Sequence, residues 1–425
     1  MEKFLIRGGN KLKGTVKIGG AKNAALKLMA ASILSDDKVV LKNVPKIKDV
    51  FVMAKVLEEL GMKVDLSDSG PTTITPASSL RCEAPYELVN QMRASIIVLG
   101  PLLAKVGKAY VALPGGCNIG LRKIDFHLRG LEKLGAKIKV KRGFIEAEAN
   151  TLKGTEIDFN FPSVGATENI LMAAVKAKGT TVIKNAAREP EITDLVYFLK
   201  QMGAKIDGAG TSRLVIKGVE KLCPTGEYTV VSDRIEAGTF MVAAALSDGD
   251  VLIQNAPLNL MGMIKSKLTD AGVTINETDG GLRVSRNGEI KPLDIATLPY
   301  PGFPTDMQAQ MMALLSVANG TSIVTENVFE NRFMLIDELN RMGANIRVQG
   351  PHAIVKRING LIGAPVKSTD LRGGAALVLA GLVAKGVTEV IDISHIDRGY
   401  ESFEIKLKSL GADISRVSKQ DSLKI

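Results

Sequence analysis

The chain has 425 residues, 45% of them apolar, more than one hydrophobic core usually serves, so two or three domains are expected. Its net charge of +10 comes from scattered lysines rather than a block, and aromatics are only 4% with no tryptophan, which excludes the stacking platforms of single-strand nucleic-acid binders. The longest apolar run, "GGAALVLAGLVA" from Gly373, is too short to span a bilayer. Three cysteines argue against a disulfide framework and for a reducing compartment. The opening "MEKFLIRGGN" lacks the apolar core of a signal peptide. These features predict a soluble cytoplasmic protein with no membrane insertion and no nucleic-acid partner. The excess positive charge would then serve an anionic small molecule.

From the N-terminus, "KFLIRGG" and "GTVKIGG" read as two strands with no helix of their own. After them a pattern recurs six times: "LEELGMKVD", "LEKLGAKIKV", "LKQMGAKID", "LTDAGVTI", "LNRMGANIRV" and "LKSLGADI". Their glycines are Gly61, Gly135, Gly203, Gly272, Gly343 and Gly411, spaced by 74, 68, 69, 71 and 68 residues. Each glycine follows an amphipathic helical pattern and precedes an alternating one, as a glycine closing a helix before a strand should. Upstream in each unit lies a helix of small apolar residues, such as "NAALKLMAASIL", then a turn and a strand such as "GTTVIKN" or "GDVLIQN". A nearly all-apolar helix predicts burial on most sides, with sheets packed around it. The last unit ends one strand short, so the first twenty residues are expected to complete it. Two globular domains of three units follow, residues 21–230, and 1–20 with 231–425.

Aligned on the repeat glycine, the start of the first helix holds Lys22, Arg93, Gly165, Arg234, Asp306 and Arg372. Four cations at helix N-termini oppose the helix dipole, where stability alone would place Asp, Ser or Thr. They make sense if an anion sits among them. In the fifth unit, "LPYPGFPTDMQAQM" gives Asp306 two readings. Thr305 with Gln308 resembles a capping box, which would make Asp306 a dipole partner only. A carboxylate placed among cations would instead stay ionised and could act as a base.

The second unit has 22 residues from Leu113 to Gly135, where the first and third have 18 from Asn43 and Asn185. The surplus is "LPGGCNIGLR", an insertion that carries Cys117 and reads as functional rather than structural. Cys82 and Cys223 have no comparable context and read as inert. Equivalent loops in units five and six bring Arg332 and Arg398. His127, His352 and His395 have no metal-ligand spacing among themselves or with cysteine, so no metal site is expected. The glycine pairs at 8–9 and 19–20 make neither a dinucleotide nor a Walker fingerprint.

The strings "GGAKNAALKLMAA", "QMRASI", "LPGGCNIGLRKIDFHLRGLEKLGA", "FPSVGATENI", "NAAREPEI", "PGFPTDMQAQ", "ENRF" and "HIDRGYESFEIKLKSLGA" resemble the UDP-N-acetylglucosamine enolpyruvyl transferases nearly end to end. The resemblance implies an α/β (α+β) fold, a two-domain inside-out α/β barrel of six repeated units, three per domain, with the active site in the interdomain cleft. It implies transfer of the enolpyruvyl group of phosphoenolpyruvate to the 3′-hydroxyl of UDP-N-acetylglucosamine with release of phosphate, the first committed step of peptidoglycan synthesis, and no cofactor. Cys117 would be the general acid and form a covalent phosphoenolpyruvate adduct, and Asp306 would take the proton of the sugar hydroxyl. Lys22, Arg122 and Arg398 would hold the phosphoenolpyruvate anion, with Asn23 nearby and Arg372 beside them. Arg93, Arg122, Lys123, Ile124, Asp125, Phe126, Ser163, Val164 and Val328 would contact the nucleotide sugar. The thiol also implies alkylation by fosfomycin. Some relatives carry a basic residue shortly before "SVGAT", where this chain has Phe161 and Pro162. Two alternatives share the architecture: the shikimate-pathway enolpyruvyl transferases, which do not depend on a loop cysteine, and RNA 3′-terminal phosphate cyclase-like proteins.

Overall fold

A computed structural model describes residues 2–67, 70–113 and 124–418. The repeat is visible first in the backbone. Gly61, Gly135, Gly203, Gly272, Gly343 and Gly411 have φ of +96°, +98°, +102°, +91°, +88° and +99°, a conformation costly for any residue with a Cβ. Each ends the unit's second helix and turns the chain into a strand.

Six four-stranded sheets result, all with one plan. In the third repeat Glu156–Asp158 runs parallel to Thr180–Lys184, with Ile157 beside Ile183. Thr180–Lys184 pairs antiparallel with Arg213–Lys217, Thr180 opposite Lys217, and Lys205–Asp207 closes the far edge antiparallel. The asparagine after the central strand ties it to the edge strand in three repeats. Asn43 Nδ2 donates to Val230 O at 2.9 Å, Asn185 Nδ2 to Phe159 O at 2.7 Å and Asn327 Nδ2 to Thr297 O at 3.1 Å.

The N-terminal segment meets its expectation in part. Lys3–Arg7 enters the sixth sheet between Val387–Ile391 and Asp413–Val417. Lys13–Lys17 instead becomes the edge strand of the fourth sheet, parallel to Asp250–Gln254. The reason is an exchange. Tyr228–Thr229, which precedes the fourth core helix, supplies the edge of the first sheet, so the fourth takes its edge from the strand preceding the first core helix. Two compact units follow, one running from Gly20 to Val231 and one combining the residues up to Gly19 with those from Ser232 onward.

In the second of these units the core helices Arg234–Leu246, Gln308–Leu315 and Leu371–Gly381 pack against one another. Every residue of the first two is buried. The strands around them alternate, burying one face only, so helices lie inside and sheets outside. In the Gly20–Val231 unit the core helices are Lys22–Ala31, Leu99–Val106 and Val164–Ala174. There a Cβ on Gly100 would lie 2.1 Å from the Asn169 carbonyl oxygen, so only glycine allows that approach. Among the described residues no helix is long and apolar enough to cross a membrane.

Candidate active site

The structure places the slot residues where the repeat alignment puts them. Lys22 opens the helix Lys22–Ala31, Arg93 opens the 3₁₀ segment Arg93–Val98, Arg234 opens its helix and Arg372 is the second residue of Leu371–Gly381. The N-terminal amides of two of these helices are served by aspartates instead. Asp233 accepts from Ile235 N and Glu236 N, and Asp370 from Arg372 N and Gly373 N. These carboxylates satisfy the amides and offset the unfavourable placing of an arginine at a helix start.

Asp306 lies in the 3₁₀ turn Thr305–Met307, entered from Pro304. Arg332 Nη2 donates to its Oδ1 at 2.8 Å and Arg372 Nη2 to its Oδ2 at 3.0 Å. Both guanidiniums are nearly buried, 4% and 3% exposed, while the Asp306 side chain keeps 25%. Burial pushes this carboxyl up, but the Arg372 and Arg332 charges outweigh it and hold the group far below the usual carboxylate range. Arg332 Nε and Arg372 Nη1 are buried without a hydrogen-bond partner, so the cluster holds donors in reserve for an anion. The Arg372 guanidinium also lies 5.3 Å from the centre of the Tyr400 ring, whose hydroxyl pairs with Thr239 Oγ1 at 2.8 Å.

The capping-box reading of this turn fails. Thr305 Oγ1 donates to Glu326 Oε2 at 2.9 Å and accepts from Arg332 Nη1 at 3.0 Å. Gln308, the other half of the supposed box, has its amide buried without a partner. Glu326 is the residue that organises the corner. Its Oε1 accepts from Thr297 Oγ1 at 2.8 Å, Val328 N at 2.8 Å and Phe329 N at 3.1 Å. One carboxylate thus fixes the Val328 backbone and, through Thr305, the arginine that grips Asp306. Arg398 ends the 3₁₀ segment Ile393–Arg398 in the same unit.

The remaining described candidates belong to the Gly20–Val231 unit. Lys22 Nζ lies 2.7 Å from Asp49 Oδ2, and the Asn23 carbonyl accepts from Lys27 Nζ at 3.1 Å. Ile124 precedes the helix Asp125–Lys133. Asp125 Oδ1 is buried without a partner, and Phe126 packs edge-on against Phe159, centroids 5.9 Å apart. Ser163 caps Val164–Ala174, accepting from Ala166 N at 3.4 Å. Phe161, two residues earlier, is exposed. Between Arg93 and this helix stands His127, a buried imidazole pushed down to about 3 by desolvation, with Arg93 and Lys27 adding to the effect. Cys117, Arg122 and Lys123 lie outside the described residues.

Sequence reasoning missed Asp49, Glu326 and His127, and gave Arg332 no role. Only Glu326 had a legible signal. Before the repeat asparagine the other units have Lys42, Lys184 and Gln254, and the fifth alone has an acid.

Known proteins of similar sequence and fold identify the family. The family model for EPSP synthase (3-phosphoshikimate 1-carboxyvinyltransferase) matches residues 6–407. UDP-N-acetylglucosamine 1-carboxyvinyltransferase 2 of Carboxydothermus hydrogenoformans is 56% identical over 98% of this chain and 100% of its own. UDP-N-acetylglucosamine 1-carboxyvinyltransferase 1 of Caldanaerobacter subterraneus subsp. tengcongensis is 55% identical over 97% of this chain and 99% of its own. Among solved structures, the enolpyruvyl transferase NikO from Streptomyces tendae superposes with a TM-score of 0.89 at 25% identity, covering 98% of this chain and 99% of that one. An EPSP synthase from Acinetobacter baumannii shares the fold, with a TM-score of 0.78 at 19% identity over 98% and 100% of the two chains. The chain therefore belongs to the EPSP synthase family and, within it, to the UDP-N-acetylglucosamine 1-carboxyvinyltransferases, a group of enolpyruvyl-transferring enzymes.

Proposed function

We propose that this chain transfers the enolpyruvyl group of phosphoenolpyruvate to the 3′-hydroxyl of UDP-N-acetylglucosamine and releases phosphate, in the cytoplasm, as the first committed step of peptidoglycan synthesis. The observation that carries the reading is Asp306 gripped by two buried arginines that still have unpaired donors, in a chain more than half identical to such transferases.

In this reading Cys117 gives a proton to the methylene carbon of phosphoenolpyruvate, leaving an oxocarbenium-like centre. The sugar oxygen attacks that centre as Asp306 takes the hydroxyl proton, forming a tetrahedral ketal. The new methyl group then returns a proton, the carbon–oxygen bond to phosphate breaks, and the enol ether remains. Lys22, Arg122 and Arg398 balance the departing phosphate. Having given its proton to the methylene carbon, Cys117 can instead add as the resulting thiolate to the oxocarbenium-like centre, forming the covalent adduct, since a cationic site favours the thiolate. Arg93, Arg122, Lys123, Ile124, Asp125, Phe126, Ser163, Val164 and Val328 hold the nucleotide sugar, and Asn23 stands beside Lys22. The grip on Asp306 sets an order of events. A carboxylate bound by two guanidiniums is a weak base. Diverting Arg372 to the phosphoenolpyruvate anion removes one of them and makes Asp306 more basic once that substrate is bound.

Phosphate release with phosphoenolpyruvate, comparing UDP-N-acetylglucosamine with shikimate 3-phosphate as acceptor, tests the reading. Release is expected with the nucleotide sugar only, to stop after fosfomycin treatment, and to fall by about 10²-fold or more in Cys117→Ser, the range for loss of a general acid. Release with shikimate 3-phosphate alone would replace this function with that of the other branch.

A further inference from the structure

Five residues past the repeat glycine, at or just after the edge strand of each sheet, the repeats carry Leu66, Val140, Gly208, Glu277 and Val348. The sixth alone has a cation there, Arg416. In the strand Asp413–Val417 it shares the inward face with the buried Ile414, opposite Phe4 of Lys3–Arg7. Phe4 is fully buried, and the Arg416 guanidinium lies 5.0 Å from its ring centre. A charge on the face of a strand that packs against the core has to be matched.

Its partners lie on one loop. Arg416 Nη2 and Nη1 donate to Oδ1 and Oδ2 of Asp397 at 2.6 and 3.1 Å, and Nε donates to Glu404 Oε1 at 2.7 Å. Nη1 also donates to Glu2 Oε2 at 2.9 Å, a residue outside the loop. Asp397 and Glu404 bracket Ser402, which enters the helix Phe403–Ser409 with φ of +49°, a conformation costly to any residue with a side chain. The second helices of the other repeats are entered from residues of negative φ, Ile47, Ile124, Glu189, Met261 and Met334. Strain of this kind persists only where the surroundings hold it, and one guanidinium grips the chain on both sides of the bend. Stapling the last strand to its sheet does not require that grip. Asp413–Val417 already pairs with Lys3–Arg7 along its whole length. The gripped loop carries Arg398, next to Asp397, and Tyr400, whose buried ring lies against the Arg372 guanidinium.

We propose that Arg416 is a positioning residue for the phosphoenolpyruvate site: by holding Asp397 and Glu404 on either side of Ser402, it sets the loop that presents Arg398. The inference rests on Arg398 holding that anion, as proposed above. Arg416 itself touches no substrate in this reading and acts only through the loop.

Steady-state kinetics of the full chain test this. Arg416→Met should raise the KM for phosphoenolpyruvate about ten-fold and leave that for UDP-N-acetylglucosamine within about two-fold, because a small misplacement of one binding group weakens only the contacts it makes. Arg416→Lys should restore little, since one ammonium cannot reproduce a two-oxygen grip. Asp397→Asn should match Arg416→Met, whereas Glu2→Gln, at a site 54% exposed, should leave both KM values at wild type. In Arg398→Ala protein, read by calorimetric titration where turnover is too slow, adding Arg416→Met should cost no further phosphoenolpyruvate affinity. An unchanged KM for phosphoenolpyruvate in Arg416→Met, an equal rise in both KM values, or a full further loss on top of Arg398→Ala would overturn the proposal. If Arg416→Met does not fold, Asp397→Asn decides by the same three comparisons. Wild-type protein that releases no phosphate with the nucleotide sugar would sink the function and this inference together. Active wild-type protein whose KM for phosphoenolpyruvate is indifferent to Arg416 and Asp397 would sink the inference only.

Discussion

Asp306 and Glu168 are each a carboxylate set against cations inside their own unit, and their protonation is pushed in opposite directions. Each oxygen of Asp306 receives an aligned guanidinium N–H, and the carboxyl is held far below its usual range. Glu168 is fully buried, with Lys27 Nζ 3.1 Å from Oε2, yet neither oxygen receives a well-aligned hydrogen bond. Desolvation wins there over Lys27, with Glu191 and Glu189 adding repulsion, and the group is pushed up to about 7. A nearby opposite charge is therefore not enough. Two aligned, charge-assisted bonds overcome burial, while one poorly aligned ammonium does not.

The largest effect should come from Asp306→Asn. The carboxamide has one oxygen to accept and turns an N–H toward the other guanidinium, leaving buried positive charge unbalanced. Breaking such a buried pair costs about 3–5 kcal/mol, readable as a lower urea midpoint. Removing a general base lowers kcat by about 10²–10⁴-fold, with the KM for UDP-N-acetylglucosamine little changed. A variant with wild-type turnover would remove the base assignment. The wild-type contribution of Asp306 to stability should persist at all pH values above its ordinary 3.8 and be lost only below it.

Glu168 should give a smaller effect of opposite sign. Its folded pKa lies above the ordinary 4.5, so between about 4.5 and about 7 the folded chain keeps a proton that the unfolded chain releases. Stability then falls as pH rises through that window, by an amount of order 3 kcal/mol, and the loss is complete above it. Asp194, pushed up to about 6 by burial despite its Tyr228 hydrogen bond, adds a slope of the same sign. Comparing wild type with the double variant Lys27→Met, Glu168→Gln isolates the Glu168 part. Urea midpoints at pH 5 and pH 8 should converge in the variant, with stability at pH 8 equal or higher, since replacing a poorly matched buried pair is often neutral or better. An unchanged difference between the two pH values would show that Glu168 does not titrate there.

The contrast also shows what a sequence can disclose. The repeat was legible because six glycines need positive φ at one structural position, and because the core helices carry small apolar residues on every face. The strand exchange was not, since Lys13–Lys17 and Tyr228–Thr229 are each as compatible with their own repeat's sheet as with the one they join. Asp306 could be picked out as a residue among cations, but its partners could not. Thr305 and Gln308 have the spacing of a capping box, and only tertiary structure turns Thr305 toward Glu326 and Arg332. The hydrogen bonds of Asn169 to Gly100 N and to His127 Nδ1 join residues 69 and 42 positions apart, and no local pattern marks them.

The smallest effect is expected where hydrogen-bond geometry matches that of Asp306 but burial does not. Arg283 Nε and Nη2 donate to the two oxygens of Asp250 at 2.8 and 2.6 Å, and the side-chain bond from Arg283 lowers the Asp250 pKa. This pair is 61% and 40% exposed, so water and salt screen it and either partner is readily resolvated when the other is removed. Asp250→Asn should therefore leave the urea midpoint at its wild-type value within error, at low and physiological salt alike. A loss comparable to that of Asp306→Asn would mean that bond alignment alone separates Asp306 from Glu168, and that the burial of Arg332 and Arg372 contributes nothing to the difference.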